Sequence, residues 1–230
     1  MNDFKIQKLT WDSTFFGYKI GKVEIKNTLN IKQLLEIIEK SSYDMVQLFS
    51  NKNLGSNFKY SPIDVKLRYS KKVGTNIKNT SCIKSVNKDI DGKLVKLARE
   101  AGIYSRYKTD KNLKLKYEDM YEIWINKSLK REFAAEVFAF QDENRTNGMV
   151  TINKKLKKAE IGLIAVDNKA QSKGIGTQLL QSVENWALKQ NLENICVETQ
   201  EENYNACQFY EKNNYKISDK TFIYHIWKNA

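Results

Sequence analysis

A single proline, a single histidine, three cysteines and five arginines among 230 residues set the first limits on this chain. Cys82, Cys196 and Cys207 are odd in number and far apart. They form no disulfide framework, and with only His225 to join them no metal-ligand spacing arises, so no metal is expected. No apolar run approaches the roughly 20 residues of a bilayer span. Residues 1–10 alternate charge and apolarity and lack the apolar core of a secretory leader. The expectation is therefore a soluble, cytoplasmic protein. Arginine is the residue best suited to bidentate reading of bases and phosphates, yet it supplies only five of the 39 basic residues, and the lysines are scattered. That argues against a nucleic-acid partner. The chain also lacks G-x-x-x-x-G-K-[ST], and no G-x-G-x-x-G follows an early strand, which sets aside the two commonest nucleotide loops.

What is present is unevenly placed. The net charge is +12, and all of it lies up to Lys130, where 26 basic residues stand against 14 acidic ones. A basic half suits a multiply anionic small substrate; a simple compositional bias toward Lys, Asn and Ile explains it equally well. Ile31, Leu34, Leu35 and Ile38 mark a helix, Met45 to Phe49 a strand, and Ile63, Val65, Leu67 and Tyr69 the alternation of a half-buried strand. Residues 11–21 are unusually aromatic, and Gly17 and Gly21 bracket a short extended piece that is expected to dock as an edge or corner. A helix over 91–101 is expected to close at Gly102, and another to run from about 116 to 128 with Tyr121, Trp124 and Ile125 inward. Residues 133–141, 149–152 and 159–166 read as a three-stranded meander with a turn over 144–148. A helix from Thr177, a strand over 194–200, a helix capped by Asn203, and a last strand or hairpin over 215–227 follow.

The strongest local pattern lies in residues 160–186. Ile161, Leu163, Ile164, Ala165 and Val166 form a nearly unbroken apolar run, as in a strand buried on both faces. Leu179, Leu180, Val183, Trp186 and Ala187 recur on one helix face. Between them, Gln171-Ser172-Lys173-Gly174-Ile175-Gly176 predicts a turn opening onto a helix N-terminus. The first N–H groups of a helix have no intrahelical acceptor, and the macrodipole adds partial positive charge, so such a turn can hold a phosphate without any side chain. Gly174 and Gly176 would allow close approach. An ordinary strand-to-helix loop is the plain alternative.

That hexapeptide resembles the Gln/Arg-x-x-Gly-x-Gly/Ala signature of the GCN5-related N-acetyltransferase (GNAT) superfamily, whose members bind the pyrophosphate of acetyl-coenzyme A. Residues 159–166 are similar to the superfamily's splayed central strand, and residues 203–212 to its following helix. Asn213-Asn214-Tyr215 stands where Gly-Phe is more usual, and asparagine also accepts the left-handed conformation. Asp167-Asn168-Lys169 lacks the frequent proline before the loop. Residues 11–21, 101–107 with Asp110, and 224–227 further resemble the TDP-fucosamine acetyltransferase branch, which acetylates a nucleotide-linked 4-amino-4,6-dideoxyhexose for surface polysaccharide.

The resemblance implies an α/β (α+β) GNAT fold with a mixed, mostly antiparallel sheet. It implies a catalytic domain over 129–230 and a smaller N-terminal α/β substrate domain over 1–128, with acetyl-CoA as co-substrate. It assigns the backbone of Ile164, Ala165 and Val166 to the acetyl carbonyl. Gln171, Ser172, Lys173, Gly174, Ile175, Gly176 and Thr177 fall to the pyrophosphate, and Asn203 and Ala206 to the pantetheine arm. Tyr210 matches the general acid, since a phenol is protonated at neutral pH and can donate to a departing thiolate. Without the resemblance, a core tyrosine would be its default. Glu160 stands where histone-acetylating relatives keep a water-coupled glutamate, although a glutamate at a strand start is commonly a solvated edge, and an amine that arrives neutral needs no dedicated base. His225 reads as a base by its ordinary pKa or as a packed structural residue. Arg106, Tyr107 and Asp110 are the candidates for the nucleotide-sugar, or a satisfied connecting loop. Acceptors such as a protein amine, a small amine or an aminoglycoside stay open, as do a homodimer and a non-catalytic acyl-CoA-binding module.

Overall fold

A computed structural model describes residues 5–25, 31–56, 58–142 and 145–228. In chain order its elements are β1 (Gln7–Lys8), α1 (Thr10–Phe16), β2 (Ile20–Ile25), α2 (Ile31–Lys40), β3 (Met45–Ser50), β4 (Asp64–Lys72) and β5 (Ile83–Ser85). Then come α3 (Lys93–Ala101), α4 (Arg106–Thr109), α5 (Tyr117–Leu129), β6 (Glu136–Asp142), β7 (Arg145–Lys155), β8 (Lys158–Val166), α6 (Ile175–Lys189), β9 (Asn194–Gln200), α7 (Tyr204–Lys212) and β10 (Lys216–Trp227). The chain forms two compact units. The first comprises Met1–Leu67, Gln200–Glu202 and Asp219–Ala230; the second comprises Arg68–Thr199 and Asn203–Ser218.

In the first unit β2 and β3 run parallel and are joined through α2, while β1 pairs antiparallel with β2 and β10 antiparallel with β3. The parallel register, Ile20↔Met45 through Ile25↔Ser50, puts Val23, Ile25, Val46 and Leu48 on one face, where they meet Leu34 and Ile38 of α2 and Tyr224 and Ile226 of β10. The apolar spacing read in α2 is thus the spacing that fills this core. Ahead of the extended piece expected between Gly17 and Gly21 stands a helix, α1, that the periodicity did not announce. Trp11 and Phe15, one helical turn apart, stack at 4.9 Å, and Ser13 Oγ donates to the Leu9 carbonyl and accepts from the Ile20 N–H. These i, i+4 contacts favour a helix. Gly17, at φ 81°, ends it, and extended chain resumes only at Ile20.

The second unit holds the expected meander. β6, β7 and β8 pair antiparallel, β5 pairs antiparallel with β6, and β9 lies parallel to β8 through the crossover helix α6. The sheet is mixed and mostly antiparallel. Gly148 on β7 faces Ile175 and Leu179 of α6, whereas Gly162 on β8 faces Thr151 and Trp124 of α5. Gly148 and Thr151 point to opposite sides of their strand, so α5 and α6 cover opposite faces. The division at Leu67/Arg68 falls earlier than the 128/129 boundary expected from sequence, and α3 packs on β7 and β8 as well as on α5.

Several element ends also moved. β7 has begun by Arg145, inside the turn expected over 144–148, with Asn144 itself outside the described residues; α6 starts at Ile175, not Thr177. Gly102 does stop α3, but at φ −99° and not in the left-handed conformation. A Cβ there would lie 2.1 Å from the Tyr121 ring, so close packing explains this glycine.

Candidate active site

The site is built around the point where β8 and β9 part. Their parallel ladder runs from Lys158↔Asn194 to Ile161↔Val197, and no pairing continues it, although both strands do. On its other side β8 carries a register shift between Val150 and Ile152 of β7: Gly162 and Leu163 oppose Thr151 alone, and the Leu163 N–H donates to Thr151 Oγ1 at 2.8 Å. This is a β-bulge, which bends a strand and increases its twist. Beyond it, the Asp167 N–H donates to the Asn147 carbonyl at 2.9 Å. By alternation along the strand, Ala165 therefore turns its N–H toward β7, while those of Ile164 and Val166 face the side that β9 has left. Of the three expected backbone donors, two are placed to serve a carbonyl in the opening.

β8 leads into the loop over residues 171–174, the candidate phosphate loop, through a single turn of 3₁₀ helix. The Asp167 carboxylate accepts the Lys169 N–H at 3.0 Å and lies within 4 Å of Lys93 and Lys96. The hydrogen bond from Lys169 opposes burial, and with Lys96 and Lys93 it holds the Asp167 carboxyl below the ordinary range. Gln171 Nε2 reaches back to Asn168 Oδ1 and the Val166 carbonyl. Ser172 (φ 63°) and Gly174 (φ 77°) are both left-handed, and Gly174 sits at the N-cap of α6 with no side chain capping it. The Gln178 N–H bonds the Gly174 carbonyl, which leaves those of Ile175, Gly176 and Thr177 as the free donors of the first turn. The two glycines differ in purpose: Gly174 takes a conformation that a Cβ opposes, while Gly176 is helical and lets the Phe209 ring pack within 3 Å of where its Cβ would be.

α7 carries the remaining candidates, Asn203 at its cap and Ala206 and Tyr210 within it. Asn203 Oδ1 accepts the Ala206 N–H at 3.2 Å, so the cap read from sequence is present, and Asn214 (φ 65°) takes the left-handed position after the helix. Tyr210 is 3% exposed and packs among Tyr69 of β4, Phe209 and Tyr215, with ring centroids 5.4–5.9 Å away. Burial, with a smaller contribution from Cys207, pushes its phenol above the usual tyrosine range. Tyr69 donates to Glu211 Oε1 at 3.0 Å.

On the opposite face of β4 from Tyr69, Arg68 meets two carboxylates. Its Nη2 donates to Glu160 Oε1 at 2.5 Å and its Nη1 to Glu198 Oε1 at 2.9 Å. Glu160 is thus a paired strand residue beside the opening. Arg106 lies over the Tyr107 ring at 4.4 Å and donates to its hydroxyl. Asp110 is 2% exposed and accepts the Asn112 N–H at 2.8 Å, which ties it to its own turn. His225 is buried on β10 in the first unit, opposite Gln47 of β3. Arg68, Glu198 and Tyr69 were not singled out by sequence. β4 alternation could show that Arg68 and Tyr69 face opposite ways, but no local signal pairs Arg68 with a carboxylate 92 residues on. Among the described residues no group of three His, Cys, Asp or Glu side chains could hold a metal ion, and no helix is long and apolar enough to cross a membrane.

A splayed strand pair with outward N–H groups, an uncapped helix N-terminus behind a left-handed glycine, and a neutral buried phenol fit the carbonyl, pyrophosphate and sulfur of an acyl-CoA thioester. Those are the features that the resemblance assigns to an acyl-CoA site. Residues 94–215 match the Acetyltransferase (GNAT) family, over half of the chain, and the chain belongs to that family. The uncharacterized protein YxbD of Bacillus subtilis (strain 168) is 33% identical over 82 residues, 36% of this chain and 50% of that protein, so the match spans half the length of this curated relative. A functionally unknown conserved protein from Staphylococcus epidermidis ATCC 12228 superposes with a TM-score of 0.69 at 14% identity, covering 100% of this chain and 93% of that one. A GCN5-related N-acetyltransferase from Sphaerobacter thermophilus superposes at 0.53 with 10% identity, covering 91% and 74%. At such identities the likeness is one of fold.

Proposed function

We propose that this enzyme transfers the acetyl group of acetyl-CoA to the 4-amine of a dTDP-linked 4-amino-4,6-dideoxyhexose, in the supply of a surface polysaccharide. The observation that carries the acceptor class is the Arg106–Tyr107 pair, a guanidinium 4.4 Å from the centre of a phenol ring and bonded to its hydroxyl. It offers both a cation for a diphosphate oxygen and a planar surface for a base. The +12 excess up to Lys130 adds a favourable field for an anionic acceptor. Asp110 serves the loop that presents the pair.

In this reading the Ile164 and Val166 N–H groups hold the acetyl carbonyl and stabilise the oxyanion that develops as the amine attacks. The first turn of α6 anchors the pyrophosphate. Glu160 receives the proton that the amine gives up, and Tyr210, kept neutral by burial, gives its proton to the departing thiolate. A second reading, a small cationic amine or an aminoglycoside, is favoured by the two carboxylates that flank Arg68.

Thiol release from acetyl-CoA, measured against dTDP-4-amino-4,6-dideoxyhexoses, the matching free sugars, a peptide panel and aminoglycosides, tests the acceptor. Turnover confined to the nucleotide-sugars is expected. Turnover with drugs or peptides alone would replace the acceptor class and keep the acetyl transfer.

A further inference from the structure

Arg68 touches both arms of the opening. Glu160 stands one residue before the last paired position of β8, and Glu198 is the first residue of β9 beyond it. With Nη2 on one carboxylate and Nη1 on the other, a single guanidinium straddles the vertex. Arg68 is itself held, since Ser218 Oγ donates to its backbone carbonyl at 3.1 Å. Stability is a weak reason for this arrangement. The side chains of Arg68 and Glu160 are each 27% exposed and that of Glu198 is 41% exposed, and ion pairs so open to solvent contribute little to stability. Geometry is a better reason. A planar fork fixes two carboxylates at a set separation, which a lysine ammonium cannot do. A glutamate at the end of a flexible chain otherwise divides its time among rotamers, and a reacting group displaced by about 1 Å loses on the order of a hundredfold in rate.

We propose that Arg68 is a positioning residue for acetyl transfer: it anchors the Glu160 carboxylate at the vertex, with Glu198 as the second anchor, so that Glu160 faces the incoming amine. The proposal rests on the reading of Glu160 as proton acceptor. The Arg68 bond falls on Oε1, and Oε2 is the oxygen for the amine. The nitrogen forms its bond to the acetyl carbon as the carbon–sulfur bond breaks. The nitrogen's proton passes to Glu160, and the bonding pair leaves with sulfur, which takes the Tyr210 proton. Arg68 exchanges no proton in this sequence.

The test compares Glu160→Gln, Glu198→Gln, Arg68→Lys and Arg68→Ala in the thiol-release assay, with acetyl-CoA affinity and thermal midpoint measured on each. If Arg68 positions Glu160, Arg68→Ala lowers kcat by roughly thirtyfold and Arg68→Lys by less. Both keep the acetyl-CoA Kd within about twofold, and added methylguanidine restores part of the Arg68→Ala loss. Glu198→Gln, which leaves Arg68 and Glu160 in place, costs about threefold in kcat, and this arm decides the matter should Arg68→Ala not fold. Wild-type kcat in Glu198→Gln and Arg68→Lys, beside a slow Glu160→Gln, overturns the proposal and leaves Glu160 as the base. Wild-type kcat in Glu160→Gln overturns the base and the proposal with it. The same holds for absence of wild-type turnover on every amine of the panel.

Discussion

Tyr210 and Gly102 show what a single residue settles here. Burial among three other aromatic rings keeps the Tyr210 phenol protonated well beyond neutral pH. Its replacement by phenylalanine keeps the packing and removes the proton. Tyr210→Phe is expected to lower kcat about a hundredfold with the CoA Kd within a few fold, measured by single turnover and titration. Unchanged turnover would remove Tyr210 from the mechanism. Gly102→Ala drives a methyl group into the Tyr121 ring and is expected to cost about 1–3 kcal/mol in denaturant unfolding. The role proposed for Tyr210 came from resemblance, because its neighbours in sequence, from Asn203 onward, form one short helix with a recognisable pattern; its burial is what a core tyrosine would show as well. Gly102 was legible as a helix stop, but its reason was not, because the ring that demands it stands 19 positions away.

At the scale of elements, strand and helix periodicities marked most elements of both units, and the capped helix α7 appeared where expected. The helix over Thr10–Phe16 was not anticipated, since an i, i+4 aromatic pair carries no strand or helix label until one sees the rings stack. The vertex at Ile161↔Val197 was implied only by resemblance. Nothing in the runs over 159–166 and 194–200 says where two strands part, because β8 stays apolar past the point of separation and both strands remain extended beyond it. The α7 cap can be tested directly. Asn203→Ala leaves the Ala206 N–H without its acceptor and is expected to cost about 1 kcal/mol. Because α7 carries Tyr210, kcat should fall alongside the thermal midpoint. A lowered midpoint with full kcat would show that the cap serves stability alone.

For the whole molecule, charge placement matters more than its total. Glu184 of α6, nearly buried, receives Lys71 Nζ at 2.6 Å and Lys78 Nζ at 2.8 Å, and Asn185 bonds the Lys78 backbone at both its N–H and its carbonyl. Burial alone would raise the Glu184 carboxyl, but the hydrogen bonds from Lys71 and Lys78 outweigh it and hold the carboxyl below its ordinary 4.5. A carboxyl lowered on folding contributes stability above its unfolded value, and that contribution is lost as the pH falls through the folded one. Wild-type protein should therefore melt above Glu184→Gln near neutrality, with the gap closing as the pH falls below the ordinary 4.5. A gap that stays constant over that range would assign the cost to packing.

The first unit is assembled from both ends of the described chain. Its core joins Val23, Leu34 and Leu48 to Tyr224 and Ile226, and the Tyr224 hydroxyl accepts the Leu54 N–H at 3.0 Å. A ribosome makes the residues up to Leu67 early but delivers β10 about 150 residues afterwards. At the roughly 5–20 residues per second of translation, the early strands β2 and β3 wait some seconds with one edge open. During synthesis the second unit can gather its meander first, and the N-terminal strands are then completed by the last strand to emerge.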